Sequence, residues 1–396
     1  MTSELFSAEK YAASRRPLAE ASPLPGSCYV SPEWYERELE TIFRKEWLCV
    51  GRVDQVPNPG DFYTIPLLGQ PLIVARDQNG KVNVLSAICR HRGAVVVEGE
   101  GRCRQFMCPY HNWTYALDGA LINTPGNPPP MDGSKGFDRA QHGLKALPTD
   151  FWTGFIFVTF NPSPKPLMES LGTLPAFLAN YRLENMQFTH RDVYEVECNW
   201  KVWLENAFEN YHVPTIHRKH IDPAKPQNWQ FEETDGVWEA MYSRRSIVAY
   251  TGLPTLTGLT EKEENGLYHI WLKPSLQIII TSSSMKYRQY LPEGPEKLRL
   301  IENWTFPGTT VELPQFSETV GAAYYHKYSE IIREDLRISP NVQRGMRSGV
   351  YTPGRYSLEE FVVHRIANYV LDRVLGPAQA PVRAARDPAQ KARAAG

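Results

Sequence analysis

The sequence predicts an α+β chain: a small all-β domain, then a larger domain whose antiparallel sheet is flanked by helices. Three observations predict it. From Gly60 the hydrophobic period is two over several short runs, each closed by turn residues. Pro162, Pro164 and Pro166 then mark a linker. Beyond it, strand-like runs share the chain with longer helical patterns, and 396 residues leave both halves long enough to bury a core.

Taken in order, Ser31 and Pro32 open a helix as N-cap and first helical residue, and Tyr35, Leu39, Ile42 and Phe43 recur on one face of it. This helical segment, residues 1–45, is expected to pack on the larger domain. Residues 62–67, 72–76 and 82–85 read as strands, with Asp77-Gln78-Asn79-Gly80 as a turn. A segment with Gly99 and Gly101 is expected to form a hairpin, and residues 155–160 a closing strand, giving a domain over 46–160. In the larger domain, 161–375, residues 238–247, 269–272, 276–282, 285–290 and 298–306 are expected to form one antiparallel sheet. Ser357-Leu358-Glu359-Glu360 reads as a capping box that opens a last helix, to Leu371 or so. Residues 376–396, rich in Ala, Pro and Arg, read as a disordered tail.

Composition narrows the function. A net charge of −1 gives no case for nucleic acid or a membrane surface as partner. No run of about eighteen apolar residues occurs, and residues 1–16 lack the apolar core of a signal peptide, so a cytoplasmic protein is expected. The six cysteines show no disulfide-framework spacing, which fits a reducing compartment; Cys103, between the motifs below, reads as structural.

Four residues carry the chemistry: Cys89-x-His91 and, sixteen residues on, Cys108-x-x-His111. A Rieske 2Fe-2S cluster takes two cysteines on one iron and two histidines on the other, and its imidazoles raise the potential above that of an all-cysteine cluster. A structural zinc site is the alternative, but zinc more often pairs like ligands than alternates them. The alternation favours the cluster, a one-electron carrier.

Such a carrier needs an acceptor. His212 and His217 are the next candidates, although five residues on a regular helix separate side chains by about 140°. Pro214 lies between them; a helix ending near Val213 would let His217 fold back toward His212. That spacing alone is weak evidence. Two histidines and one carboxylate, however, leave positions open for dioxygen at a non-haem iron. Glu330, Glu334 and Asp335 lie on one helical segment; Asp335 is the expected ligand, the other two are fallbacks, and surface ion pairing is the alternative role.

From about residue 30 to 372 the chain resembles the catalytic (α) subunit of Rieske non-haem iron ring-hydroxylating oxygenases. The resemblance rests on the cluster motifs, Asn199-Trp200-Lys201, Glu205-Asn206, Glu209, His212 and His217, and Asp335 with Gln343-Arg344-Gly345. It implies a Rieske domain followed by a catalytic domain of helix-grip type. It implies a 2Fe-2S cluster on Cys89, His91, Cys108 and His111, and a mononuclear Fe(II) on His212, His217 and Asp335. It further implies a head-to-tail homotrimer in which Glu209 links the iron site to a cluster histidine of the next subunit, with Asn206 a lesser catalytic candidate. Electrons would come from NAD(P)H through a separate reductase or ferredoxin, which the arginines around the loops (Arg90, Arg92, Arg102, Arg104) would steer if it is acidic. Three positions depart from the family pattern. Asn112 stands where many members have Gly, and Pro340, where many have Glu, would let Ser339-Pro340 start a fresh helix. Glu209 replaces the usual Asp, as in some relatives that act on quaternary amines.

The implied function is the terminal component of a Rieske oxygenase system, hydroxylating or dealkylating a small aromatic compound with dioxygen. Trp238, Tyr242, Tyr250, Tyr268, Trp271, Tyr287, Tyr290 and Trp304 would form a flat slot for a ring, or a cage for a quaternary ammonium such as carnitine, betaine or choline, although for any one of them packing of the sheet is the stronger reading. Arg244 or Arg245 would anchor a carboxylate. An electron-transfer Rieske protein and a zinc-stapled binding protein are the readings from other classes.

Overall fold

The computed structural model describes residues 4–220, 229–244 and 253–377. Asp61–Leu67, Gln70–Arg76 and Val82–Ser86 form an antiparallel meander, and the Asp77 carboxylate shapes its second turn by accepting from the N–H groups of Asn79 (2.9 Å) and Lys81 (3.0 Å). The glycine segment is not a hairpin. Glu100–Arg102, exposed throughout, adds to the edge of Asp61–Leu67, whereas Phe106 is buried and its strand pairs with Thr114–Tyr115 in a separate sheet. The expected closing strand is Phe155–Val158, fully buried between Leu48–Arg52 and Thr149–Trp152.

The larger sheet has seven antiparallel strands in the order Met186–Val196, Lys297–Pro307, Met285–Gly294, Leu276–Thr281, Gly266–Leu272, Trp238–Arg244, Trp229–Phe231. Five were expected. Met186–Val196 was not: its centre reads Thr189-His190-Arg191-Asp192, and its half-exposed edge position lets those polar residues stay. Trp229–Phe231 is too short to show a period. The end of the expected run 238–247, with Arg245, and Tyr250 lie outside the described residues, as do 378–396 of the tail.

Alternation gives this sheet two apolar faces. Tyr287 and Ile278 pack on Trp152, Phe155 and Phe157 of the small domain, with the Phe155 and Tyr287 rings edge to face at 5.1 Å. Trp271, Tyr290 and Leu300 face the other way, into a core shared with Trp200, Trp203 and Phe208. Helix Pro32–Glu38, capped by Ser31 accepting the Trp34 N–H, joins this core. Its Glu38 is fully buried and accepts from Trp34 Nε1 (2.9 Å), Trp200 Nε1 (2.9 Å) and Lys201 Nζ (2.6 Å). A buried carboxylate is tolerated because its charge is paired and its lone pairs are used.

Two helix boundaries differ from expectation. Pro340 does not start a helix but sits inside Lys327–Met346, where Ile332, Asp335, Ser339 and Gln343 make a buried stripe and Pro340 lies beside it. Packing along that stripe offsets the one lost hydrogen bond. The last helix is Phe361–Leu375; Ser357 and Glu360 form the turn ahead of it, with the Ser357 N–H donating to the Glu360 carboxylate (2.6 Å).

Candidate active site

The two cysteine loops are built alike. Gly93 N–H donates to Cys89 O (3.1 Å) and Asn112 N–H to Cys108 O (2.9 Å), and both closing residues are left-handed, with φ of +81° and +58°. Asparagine is among the few non-glycine residues that adopt this conformation readily, so Asn112 fills the position where glycine was expected. Cys89 and Cys108 are buried, and the His91 and His111 rings lie at 4.7 Å. His91 stacks on Trp113 at 4.7 Å, and its Nδ1 is buried without a hydrogen-bond partner among the described residues. Tyr115 Oη is 3.2 Å from Cys89 Sγ and accepts the Arg90 N–H (3.0 Å). Two buried thiols and two adjacent imidazoles, with an orphaned ring nitrogen between them, suit a cluster held at the domain tip. Of the loop arginines, Arg102 is bound to Asp61 (2.7 Å), while Arg90, Arg92 and Arg104 are exposed.

The second site is set by two helices. Helix Trp200–Ala207 starts at Asn199, whose N–H donates to Gln343 Oε1 (2.9 Å), so the helix that carries Asp335 is pinned to the one that leads to the histidines. The first helix ends at Ala207, earlier than expected, and the chain bends before a short turn, Val213–Ile216. Pro214 lies at the start of this turn, where its missing N–H costs nothing. His212 and His217 flank the turn and point back at each other, with Nε2 atoms 3.2 Å apart.

Asp335 Oδ1 completes the group, 3.2 Å from His217 Nε2 and 3.7 Å from His212 Nε2. This oxygen is buried and has no hydrogen bond of good geometry; the three ligand atoms lie within 4.8 Å of one another. Among the described residues this is the one His/Cys/Asp/Glu group of that kind. Each imidazole is oriented from behind. His217 Nδ1 donates to Glu334 Oε2 (2.9 Å), and His212 Nδ1 to Glu209 Oε1, whose other oxygen accepts the His212 N–H (3.1 Å). A carboxylate only accepts, so each Nδ1 carries the proton and each Nε2 turns a lone pair inward. Burial pulls the His217 pKa down, but Asp335 and then Glu334 outweigh it and raise it.

Thus the structure brings His212, His217 and Asp335 together, places Glu209 and Glu334 behind the rings, and leaves Glu330 half-buried and paired with Arg333. Asn206 lies half-buried on the last turn of Trp200–Ala207. The described sheet aromatics are packed into cores and line no site. Trp238, Tyr242, Tyr268 and Tyr287 fill one core, Trp271 and Tyr290 another and Trp304 a third. Arg244 is exposed at its strand end.

Residues 46–148 match the model of the Rieske 2Fe-2S domain, and residues 183–376 match that of the ring hydroxylating alpha subunit catalytic domain. The chain belongs to the Rieske non-haem iron oxygenases. It is the terminal oxygenase component, an oxidoreductase working with a 2Fe-2S cluster and a mononuclear iron. It is 29% identical over 360 residues to choline monooxygenase, chloroplastic, of Arabidopsis thaliana, covering 88% of this chain and 82% of the relative. It is 26% identical over 400 residues to the glycine betaine monooxygenase oxygenase subunit of Chromohalobacter salexigens, covering 90% and 87%. The fold is shared with the quaternary ammonium Rieske monooxygenase CntA in complex with L-carnitine (TM-score 0.76, 23% identity, 91% and 97% covered). It is shared equally with naphthalene 1,2-dioxygenase from Rhodococcus sp. bound to indole (TM-score 0.76, 20% identity, 95% and 100% covered). Among the described residues no helix is long and apolar enough to cross a membrane.

Proposed function

We propose that this Rieske oxygenase oxidises a quaternary ammonium compound, with iron on His212, His217 and Asp335 and the cluster on Cys89, His91, Cys108 and His111. The observation that carries the iron assignment is the inward convergence of His212 Nε2, His217 Nε2 and the unsatisfied Asp335 Oδ1. A mononuclear iron bound there supplies dioxygen activation, and the cluster supplies the electron that the iron lacks. The chain's own residues hold the geometry: Glu209 and Glu334 fix the tautomer and tilt of the two imidazoles.

We also place Glu209 on the route by which electrons arrive. In the homotrimer we infer, its carboxylate binds His212 on one side and a cluster histidine of the next subunit on the other. Exposed Tyr110 and Met107, beside the cluster loops, suit burial in that interface. The substrate class rests on the relatives and on Glu209 in place of Asp. The described sheet aromatics are core, so they favour neither the flat slot nor the cage. Six cysteines without a disulfide fit a reducing compartment such as the cytoplasm.

The test is a single turnover. The protein is reduced, then mixed with oxygen and a panel of trimethylammonium compounds, aromatic acids and aryl ethers, and products are read by mass spectrometry. Oxidation of a trimethylammonium compound is expected; oxidation of the aromatic compounds alone would return the substrate to that class.

A further inference from the structure

A buried ladder of polar groups crosses the sheet on the face turned toward the iron helices. Gln277, Arg288 and Glu302 are direct cross-strand neighbours on three adjacent strands. Arg288 shares its face with Tyr290, which packs in the core with Trp200; the alternate residue Gln289 points away and donates to Cys49 O (2.9 Å). The ladder reaches the iron site from two sides. His269, whose Nδ1 lies 3.3 Å from Gln277 Nε2, sits beside the backbone of Ala207 at the end of the first iron helix. Asp335 acts on Arg288 and Tyr290 electrostatically from the second.

The ladder places two basic groups on one buried carboxylate. Glu302 is 1% exposed and takes both Arg288 Nε (2.5 Å) and Lys286 Nζ (3.3 Å). Asp192, across the strand from Glu302, lies 3.2 Å from His190, and Asp335 is committed to the iron triad. His269 adds no negative charge. Burial pulls the Lys286 pKa down to about 7 despite Glu302, so Lys286 can shed its charge, whereas Arg288 keeps its own and is the group an anion would join. Arg288 is also equipped to receive one. A guanidinium carries about five N–H donors, more than Glu302, Gln277 and the adjacent Tyr290 hydroxyl take up. Its side chain keeps 10% of its surface accessible.

We propose that Arg288 binds the anionic group of the substrate, so that this oxygenase selects a carboxylate-bearing compound over its neutral counterpart. The inference rests on the oxygenase reading and narrows its substrate class: a betaine-type zwitterion rather than an amino alcohol. Arg288 is a specificity determinant here, and the cationic centre of the zwitterion is left to the side of the site away from the ladder.

Matched pairs test it. Binding of glycine betaine and choline, of γ-butyrobetaine and its alcohol, and of benzoate and benzyl alcohol is measured calorimetrically on the iron-loaded holoenzyme. At least one acid is expected to bind about tenfold or more tighter than its alcohol, the scale of a hydrogen bond to a charged group. Arg288→Gln should remove that ratio, and Arg288→Lys, which keeps the charge but loses the fork, should keep part of it. A panel in which no acid outbinds its alcohol overturns the proposal, as does an unchanged ratio in Arg288→Gln. If neither variant retains iron, the wild-type ratios decide. Turnover of any trimethylammonium compound keeps the oxygenase reading, whichever way the ratio falls.

Discussion

Asp335, His212 and His217 work as a set because each is aimed by something else. The two rings are held at Nδ1 by Glu334 and Glu209, and Asp335 is buried on the inner stripe of its helix. Asp335→Ala should therefore lose the mononuclear iron and keep the cluster: total iron falls while acid-labile sulfide is unchanged. Loss of both together would mean that Asp335 supports the fold rather than the metal. Glu205, on the helix before the histidines, has its carboxyl pushed up to about 7 by burial, against the pull of the Tyr29 hydroxyl (2.7 Å) and of Lys201. The folded state then holds a proton that the unfolded chain releases near 4.5, so stability falls as pH rises from 4.5 to about 7. The slope is at most about 1.4 kcal/mol per pH unit. Glu205→Gln should flatten denaturant midpoints across that window, and an unchanged pH profile would contradict this assignment. The cluster residues were legible from spacing, while the two iron histidines, whose spacing alone is weak evidence, were legible through the family resemblance. The division of labour among Glu330, Glu334 and Asp335 was not, because a ligand and a ring-orienting acid differ only in which way the fold turns them.

The elements that present these residues owe their shape to few contacts. Asn112 is left-handed, so Asn112→Ala should cost about 1–2 kcal/mol in the cluster loop while Asn112→Gly is tolerated. Thermal loss of the cluster absorbance, compared between the two variants, checks this; equal stability would contradict it. Gln343 bridges the iron helices, accepting from Asn199 N–H (2.9 Å) and donating to Tyr29 O (3.2 Å) and Glu296 (2.8 Å). Gln343→Leu strands a buried N–H and should lower unfolding free energy by about 1–3 kcal/mol, read by chemical denaturation. An unchanged midpoint would sink the bridge. Pro214 and Pro340 show why boundaries were harder to read than elements. Proline announces a break only in a helix interior without compensation; Pro214 falls in a first turn, and Pro340 is overridden by the buried stripe of its own helix.

Across the molecule, one sheet separates the small domain from the iron helices, and its strands were legible wherever both faces are apolar. The polar edge strand Met186–Val196 escaped because it has only a half-buried face to betray it. The sheet aromatics read singly as packing, and those described are core, but the sequence could not choose among packing, slot and cage for the group, since it does not say which face of a strand looks at a cavity. Within one chain the cluster loops and the iron triad belong to different domains, and in the proposed trimer Glu209 is the joint between subunits. The direct test is rapid mixing of fully reduced enzyme with oxygen and a turned-over trimethylammonium compound, following cluster reoxidation in wild type and in Glu209→Gln. The variant is expected to keep its iron while its cluster reoxidises far more slowly, with product formation slowed in step. A variant with full iron and wild-type reoxidation would contradict it.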